Sequence, residues 1–197
     1  MTALDLPTTW SQRCWVSLCK KGSSFVHFHS IVDTVDIDEG DRDVSDIATV
    51  GGGRVIKVDP QGMTTVTFEG YSVGLGVTTG DDLGFEQFFA GGTADTEDPF
   101  SITRDRNSDR YKIAILWTDQ TLAAGEGASV AITADYNAER WTATDAYITS
   151  LKKSFTDGVR KVTMTLKIPQ YQKDGTATIT EESCGNATEL AVVGAYS

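Results

Sequence analysis

The stretch Ile31 to Tyr71, IVDTVDIDEGDRDVSDIATVGGGRVIKVDPQGMTTVTFEGY, reads as strand, long acidic loop, strand. Ile31, Val35 and Ile37 fall on one face of an extended run, and Val32, Thr34, Asp36 and Asp38 on the other. That period of two marks a half-buried strand. After the loop, Val66 and Phe68 alternate in the same way with Thr65, Thr67 and Glu69. Between the two runs lie Glu39, Asp41, Arg42, Asp43, Asp46, three consecutive glycines (Gly51, Gly52, Gly53), Arg54, Asp59 and Pro60. The span Glu39 to Gln61 is too long for a simple hairpin turn, and long ordered loops usually carry function.

Working outward, residues 1–12 lack periodicity and are expected to form a flexible or partner-dependent arm. Arg13 to Lys20 reads as a strand with Trp15 on one face and Cys14, Val16 and Leu18 on the other. Lys21-Gly22-Ser23-Ser24 is a turn, and Phe25 to Val32 resumes as strand. Beyond Tyr71 the best helix signal begins at Asp81 and Asp82, carries Phe85, Phe88 and Phe89 at i, i+3 and i+4, and stops at Gly91-Gly92. Its aromatic stripe is read as core packing. Thr93 to Arg110 reads as loop. Tyr111 to Thr118 is apolar on both faces, as in a strand covered on both sides. Ser129 to Tyr136 alternates, with Val130, Ile132 and Ala134 inward. Trp141 to Leu151 and Val159 to Ile168 are joined at Thr156-Asp157-Gly158, a hairpin turn by composition. Val162, Met164, Leu166 and Ile168 share one face of the second. Thr176 to Thr180 is a possible last strand. About eight strands and one short helix predict a mainly β chain, a β-sandwich or open barrel.

The 197 residues fit one domain, and a 40% apolar content with four prolines opposes disorder. Net charge is −11, from 28 acidic and 17 basic residues. That balance opposes tight phosphate binding, which needs clustered Lys and Arg, but not passage of DNA that must slide without sticking. MTALDLPTTW lacks the basic start and apolar centre of a signal peptide. No run approaches the roughly 20 apolar residues of a membrane span. The chain is therefore expected to be made in the cytoplasm with Cys14, Cys19 and Cys184 reduced, where the sequon at Asn186 carries no meaning.

Catalytic chemistry finds little support. His27 and His29 share one strand, no G-x-S-x-G turn occurs, and the carboxylates are too common to mark a pair for glycoside hydrolysis. Gly51-Gly52-Gly53-Arg54 lacks the Lys-Ser/Thr of a phosphate loop and reads as a hinge. Cys14, Cys19, His27 and His29 are possible metal ligands, yet the cysteine spacing puts the thiols on opposite faces. Asp36, Asp38 and Asp41 lack the glycine position and the bidentate Glu of a calcium loop. No catalytic residue, metal or cofactor is expected, and the chain is not read as an enzyme.

The succession GDRDV, Gly-Gly-Gly-Arg, DPQ and TVTFEGY, followed by YKIAILWTD (Tyr111 to Asp119) and ATDAYITSLKKSFTDGVRKVTMTLKIP (Ala143 to Pro169), resembles the major tail tube proteins of long-tailed bacteriophages and archaeal viruses. The resemblance runs from about Asp33 to Ser183 and rests on the order of the pieces. It implies a β-sandwich with a flanking helix that assembles with itself into hexameric rings, stacked as a hollow tail tube in the virion. Partners would be other tail proteins (tape measure, tail tip, terminator), with double-stranded DNA in transit and no membrane. Carried onto this chain, Glu39, Asp41, Arg42, Asp43, Asp46, Gly51, Gly52, Gly53 and Arg54 would belong to an inter-ring loop spanning 39–61. Asp36, Asp38 and Glu69 would be acidic residues of the lumen, where carboxylates repel phosphate. Terminators, baseplate rings and secretion tube proteins share this kind of fold, so a sister role stays open. The alternative from a different class is a monomeric β-sandwich binding module for carbohydrate. Trp10, Trp15, Trp117 or Trp141 would then serve as a stacking platform, although core packing is the preferred reading of these indoles.

Overall fold

The structure, a computed structural model, describes residues 13–28, 32–71, 109–123, 125–184 and 188–197. The expected N-terminal arm, the helix after Asp81, most of the loop from Thr93 to Arg110, Trp10, His29 and Asn186 lie outside the described residues.

Ten strands are described: β1 Arg13–Lys20, β2 Phe25–Phe28, β3 Val32–Asp38, β4 Val44–Ala48, β5 Arg54–Val58, β6 Thr64–Tyr71, β7 Tyr111–Thr118, β8 Ala138–Thr156, β9 Val159–Ile168 and β10 Ile179–Cys184. Eight of them form one antiparallel system in the order β2-β1-β7-β8-β9-β6-β3, with β10 also on β8. Among the described residues, β4 and β5 pair only with each other. The chain is mainly β, as its composition and alternation predict.

The long strand β8 belongs to two layers. Ala138 to Ala146 pair with β7, and Ala138 to Ala143 also with β10, whereas Tyr147 to Thr156 pair with β9. Between the halves the register slips twice, once around Asp145 and once between Ile148 and Ser150. Asp145 sits at φ 56°, in the left-handed region. Bulges bend a strand and raise its twist. β8 therefore turns the corner from a first layer (β2, β1, β7, β10) into a second (β9, β6, β3), and on the opposite side β1 and β3 come within 8 Å of one another.

The main core fills the space between the layers. Val16, Leu18, Ile113, Ile115 and Trp141 come from the first layer, and Val66, Phe68, Val162, Met164, Leu166 and Ile168 from the second. The alternation read in β6 and β9 is what places these side chains inward. β7 is buried on both faces because Ala114 and Leu116 point away from this core into a smaller one with Leu122, Ala128, Ile132, Ala138, Cys184 and Leu190.

That second core corrects the expected strand from Ser129 to Tyr136. Those residues form turns, with one β-bridge from Ile132 to Leu190. Their apolar positions lie over the outer face of the first layer instead of pairing into it. Arg140, 1% exposed, holds this cover: its guanidinium donates to Val130 O at 2.9 Å, Ala191 O at 2.5 Å and Glu182 Oε2 at 2.9 Å. The last strand runs from Ile179 to Cys184, later than the Thr176 to Thr180 expected from the sequence. The C-terminal segment crosses back over the first layer: Lys112 Nζ donates to Gly194 O at 2.8 Å, Gly22 N to Tyr196 O at 2.7 Å, and Tyr196 Oη to Asp145 Oδ1 at 2.5 Å.

Candidate assembly interface

The acidic loop 39–61 is a projecting arm whose outer part is the β4–β5 hairpin. The β structure within it went unread, although Val44, Ile47, Val55, Ile56 and Val58 on either side of a glycine-rich turn are an ordinary hairpin signal. The carboxylates scattered through it masked the pattern. Its strands pair Val44 with Val58, Asp46 with Ile56 and Ala48 with Arg54 on one face, and Ser45 with Lys57 and Ile47 with Val55 on the other. Gly51 to Gly53 lie at the tip, where Gly52 takes φ 79° and Thr49 N donates to Gly53 O at 2.8 Å. They complete the turn of the hairpin.

The root of the arm is fixed by polar contacts. Gly40, at φ 73°, donates its N–H to Asp38 Oδ1 at 3.0 Å, and a Cβ there would lie 2.8 Å from Met63 O. Gln61 Nε2 donates to Glu39 O at 3.2 Å, and Gln170 Nε2 donates to Glu39 O at 3.0 Å and Thr64 Oγ1 at 2.7 Å. Beyond the root, among the described strands, β4 and β5 pack mainly on each other. Val44 (62%), Ile56 (67%) and Val58 (52%) are exposed on one face, Ile47 (53%) and Val55 (54%) on the other, and Val50 fully at the tip. A lone two-stranded hairpin is marginal in water. One with apolar residues open on both faces is a docking element. Asp46 is paired with Arg54 at 2.7 Å and Asp59 with Lys57 at 2.9 Å, both exposed and of small energetic weight. Glu39, Asp41, Arg42 and Asp43 are exposed at the root.

Asp36, Asp38 and Glu69 share the face of the second layer that points away from the core. Asp36 lies opposite Thr67, Asp38 opposite Thr65, and Glu69 between Thr34 and Thr163. The same face carries Thr165, Lys161 and Lys167, so it is a threonine-rich surface of mixed charge. Lys161 Nζ stands 2.9 Å from Glu69 Oε1, which makes Glu69 the least available of the three carboxylates.

Among the described residues, the indoles of Trp15, Trp117 and Trp141 do not form an exposed platform. Trp141 is 3% exposed within the main core, Trp117 packs partly against that core and Trp15 against the second. An open cleft of about 380 Å³ is lined by Ile37, Glu39, Trp117, Glu139, Trp141 and Glu181. The Glu181 carboxyl is held above the ordinary carboxylate range, first because in its protonated form it donates a hydrogen bond to Glu139, then by slight desolvation and the Glu139 charge. Cys14 faces the main core, and burial pushes its thiol up to about 11. Cys19 lies on the other face of β1, donating to Ser23 O at 2.9 Å and accepting from Tyr196 N at 3.3 Å. His27 Nδ1 lies 2.8 Å from Ser17 Oγ, which also accepts Ala128 N–H at 2.9 Å.

Neither the protein-family models nor the curated proteins give a match to this sequence. Solved structures do. The chain aligns with a protein of the anti-feeding prophage baseplate over 92% of its own length and 98% of that chain, at TM-score 0.51 and 11% identity. The anti-feeding prophage tube-terminating cap aligns over 93% and 99% at TM-score 0.47 and 14% identity. The sheath/tube terminator of an extracellular contractile injection system aligns over 91% and 99% at TM-score 0.44 and 17% identity. The likeness to the baseplate protein shows a shared fold, and the mainly β, sandwich-like class expected from the sequence agrees with it.

Proposed function

We propose that this chain is a structural subunit of a tail or tail-like particle, built on the tube fold and docking onto like subunits as a ring. Within that class the reading favoured is a ring at an end of the tube, at the baseplate or terminator, ahead of the repeating main tube protein of a long-tailed virus. The observation that carries the proposal is the arm: a hairpin anchored at its root by Gln61 and Gln170, paired with no other described strand, and exposing Val44, Ile47, Val50, Val55, Ile56 and Val58. Its apolar faces call for a partner surface. The shared fold with a baseplate protein, from a particle analysed with six-fold symmetry, supports a ring of six. The order of sequence pieces along residues 33–183 is the support for the main-tube role as second reading.

In this account the chain is one tube-fold unit with the 39–61 arm reaching a neighbouring ring. Its partners are copies of itself and other tail proteins, and its work is mechanical, not catalytic. The threonine-rich face bearing Asp36, Asp38 and Glu69 lines the passage, where short hydroxyl side chains and carboxylates interleaved with Lys161 and Lys167 offer a polyanion such as DNA no basic cluster to hold it. Sedimentation velocity over a concentration series tests the proposal. Discrete species heavier than the monomer are expected, growing with concentration, whereas a monomer at every concentration with the arm intact contradicts it.

A further inference from the structure

The mouth between the two layers, beside the root of the arm, joins indoles to carboxylates. On the core-facing side of the first layer Trp117 lies opposite Glu139, and Trp141 opposite Glu181. Glu139 and Trp141 are alternate residues of β8, so Glu139 and Glu181 are diagonal neighbours across β8 and β10, about 7 Å apart at the backbone and within reach of one another. Ile37 and Glu39 complete the lining of the same cleft of about 380 Å³. The backbone carbonyl of Glu39 accepts from Gln61 and Gln170, which ties this wall to the arm root.

The cleft holds charge of one sign. Among the described residues its lining carries three carboxylates and no basic side chain. Arg13 and Arg140 occupy the alternate positions of β1 and β8 and are engaged elsewhere, Arg13 with Thr121 and Arg140 with Glu182. Cys14, opposite Trp117, has its thiol pushed up to about 11 and stays neutral. Two neighbouring carboxylates without a cation are relieved by keeping a proton between them, and Glu181 keeps one above the ordinary range.

We propose that this cleft receives an arginine side chain from another protein chain. A guanidinium is planar and permanently charged, donates to two carboxylates at once, and stacks on an indole. Glu39 and Glu181 are exposed and Trp117 is half-buried, so the site is open, as suits a side chain carried on a partner's surface better than a small molecule to be enclosed. The site lies within one copy, and the proposal holds whether or not copies form rings.

Titration of the dilute full-length protein with the capped peptide Gly-Arg-Gly, followed by tryptophan fluorescence, tests it. A saturable change is expected at about millimolar peptide. The same peptide with citrulline, which keeps the shape and loses the charge, should give none. Glu139→Gln with Glu181→Gln should weaken binding about ten-fold. In wild type, binding should tighten from about pH 4 to about pH 7, because the guanidinium takes the place of the proton held by Glu181. Should the double variant fold poorly by circular dichroism, the wild-type pH series decides alone. Equal binding of the citrulline peptide, an affinity flat across that pH range, or no saturable change would overturn the proposal. So would a response to maltotriose without one to the arginine peptide, which would make the cleft a sugar site.

Discussion

Three residues hold parts of the molecule that alternation does not reveal. Arg140 is a full charge buried beside the second core: its Nη1 and Nη2 donate to two carbonyls and to Glu182, while its buried Nε has no partner among the described residues. Replacing it with Met leaves both carbonyls without a donor, and about 2–4 kcal/mol of stability should be lost in urea unfolding. Glu182→Gln keeps an acceptor at the exposed rim and should cost under about 1 kcal/mol. Gly127 covers the Ser17–His27 pair so closely that a Cβ would lie 2.2 Å from His27 Nδ1. Gly127→Ala must displace that ring, and a lowered melting temperature is expected, equivalent to about 1–3 kcal/mol. Tyr196 ties the C-terminal segment to the corner of β8. Burial, then its hydrogen bond to Asp145, push the phenol from 10.0 up to about 12. Because the folded value is raised, this contribution is complete below pH 10 and is lost as pH rises through about 12. Proteolysis of the C-terminal segment should therefore accelerate across that window in wild type. In Tyr196→Phe the hydrogen bond is absent at every pH, and the acceleration should shrink.

At the scale of elements, the arm and the sheets answer to different physics. The sheets are held by a continuous core, the arm by its own ladder and a polar root. Replacing residues 41–61 by a short glycine-containing turn should leave the unfolding midpoint within about 0.5 kcal/mol of wild type, since surface changes remote from a core cost little. The same replacement should abolish association measured by sedimentation. The strands that build the core were legible because one face of each is buried: Val66 and Phe68, and Val162 to Ile168, alternate without exception. β1 and β7 were read with their observed ends, and the turn after Thr156 was placed from Asp157-Gly158. Ser129 to Tyr136 misled because packing flat on a sheet selects the same inward positions as pairing within it. β4 and β5 escaped because both of their faces are exposed in one copy, so no one-sided pattern is imposed on their sequence. Their β-branched residues on both faces carry the signal of a surface made to be covered.

For the whole molecule, the fold fixes a polarity. One end of the second layer sends out an apolar, acidic arm, the other presents the β8–β9 turn with Phe155, and between them runs a threonine-rich face with Asp36, Asp38 and Glu69. Which residues share a face could be read from period two. That the arm and the β8–β9 turn lie at opposite ends could not, because it depends on the register of β3, β6, β8 and β9. Such a polar building block suits a stack of rings, and it has no evident use in a monomeric module whose indoles are largely packed away. Electron microscopy of the purified protein beside the chain lacking residues 41–61 tests this claim most directly. Wild type is expected to show rings of uniform diameter, alone or stacked, and the shortened chain none; wild-type particles that stay monomeric, or rings that stack equally well without the arm, would contradict the account.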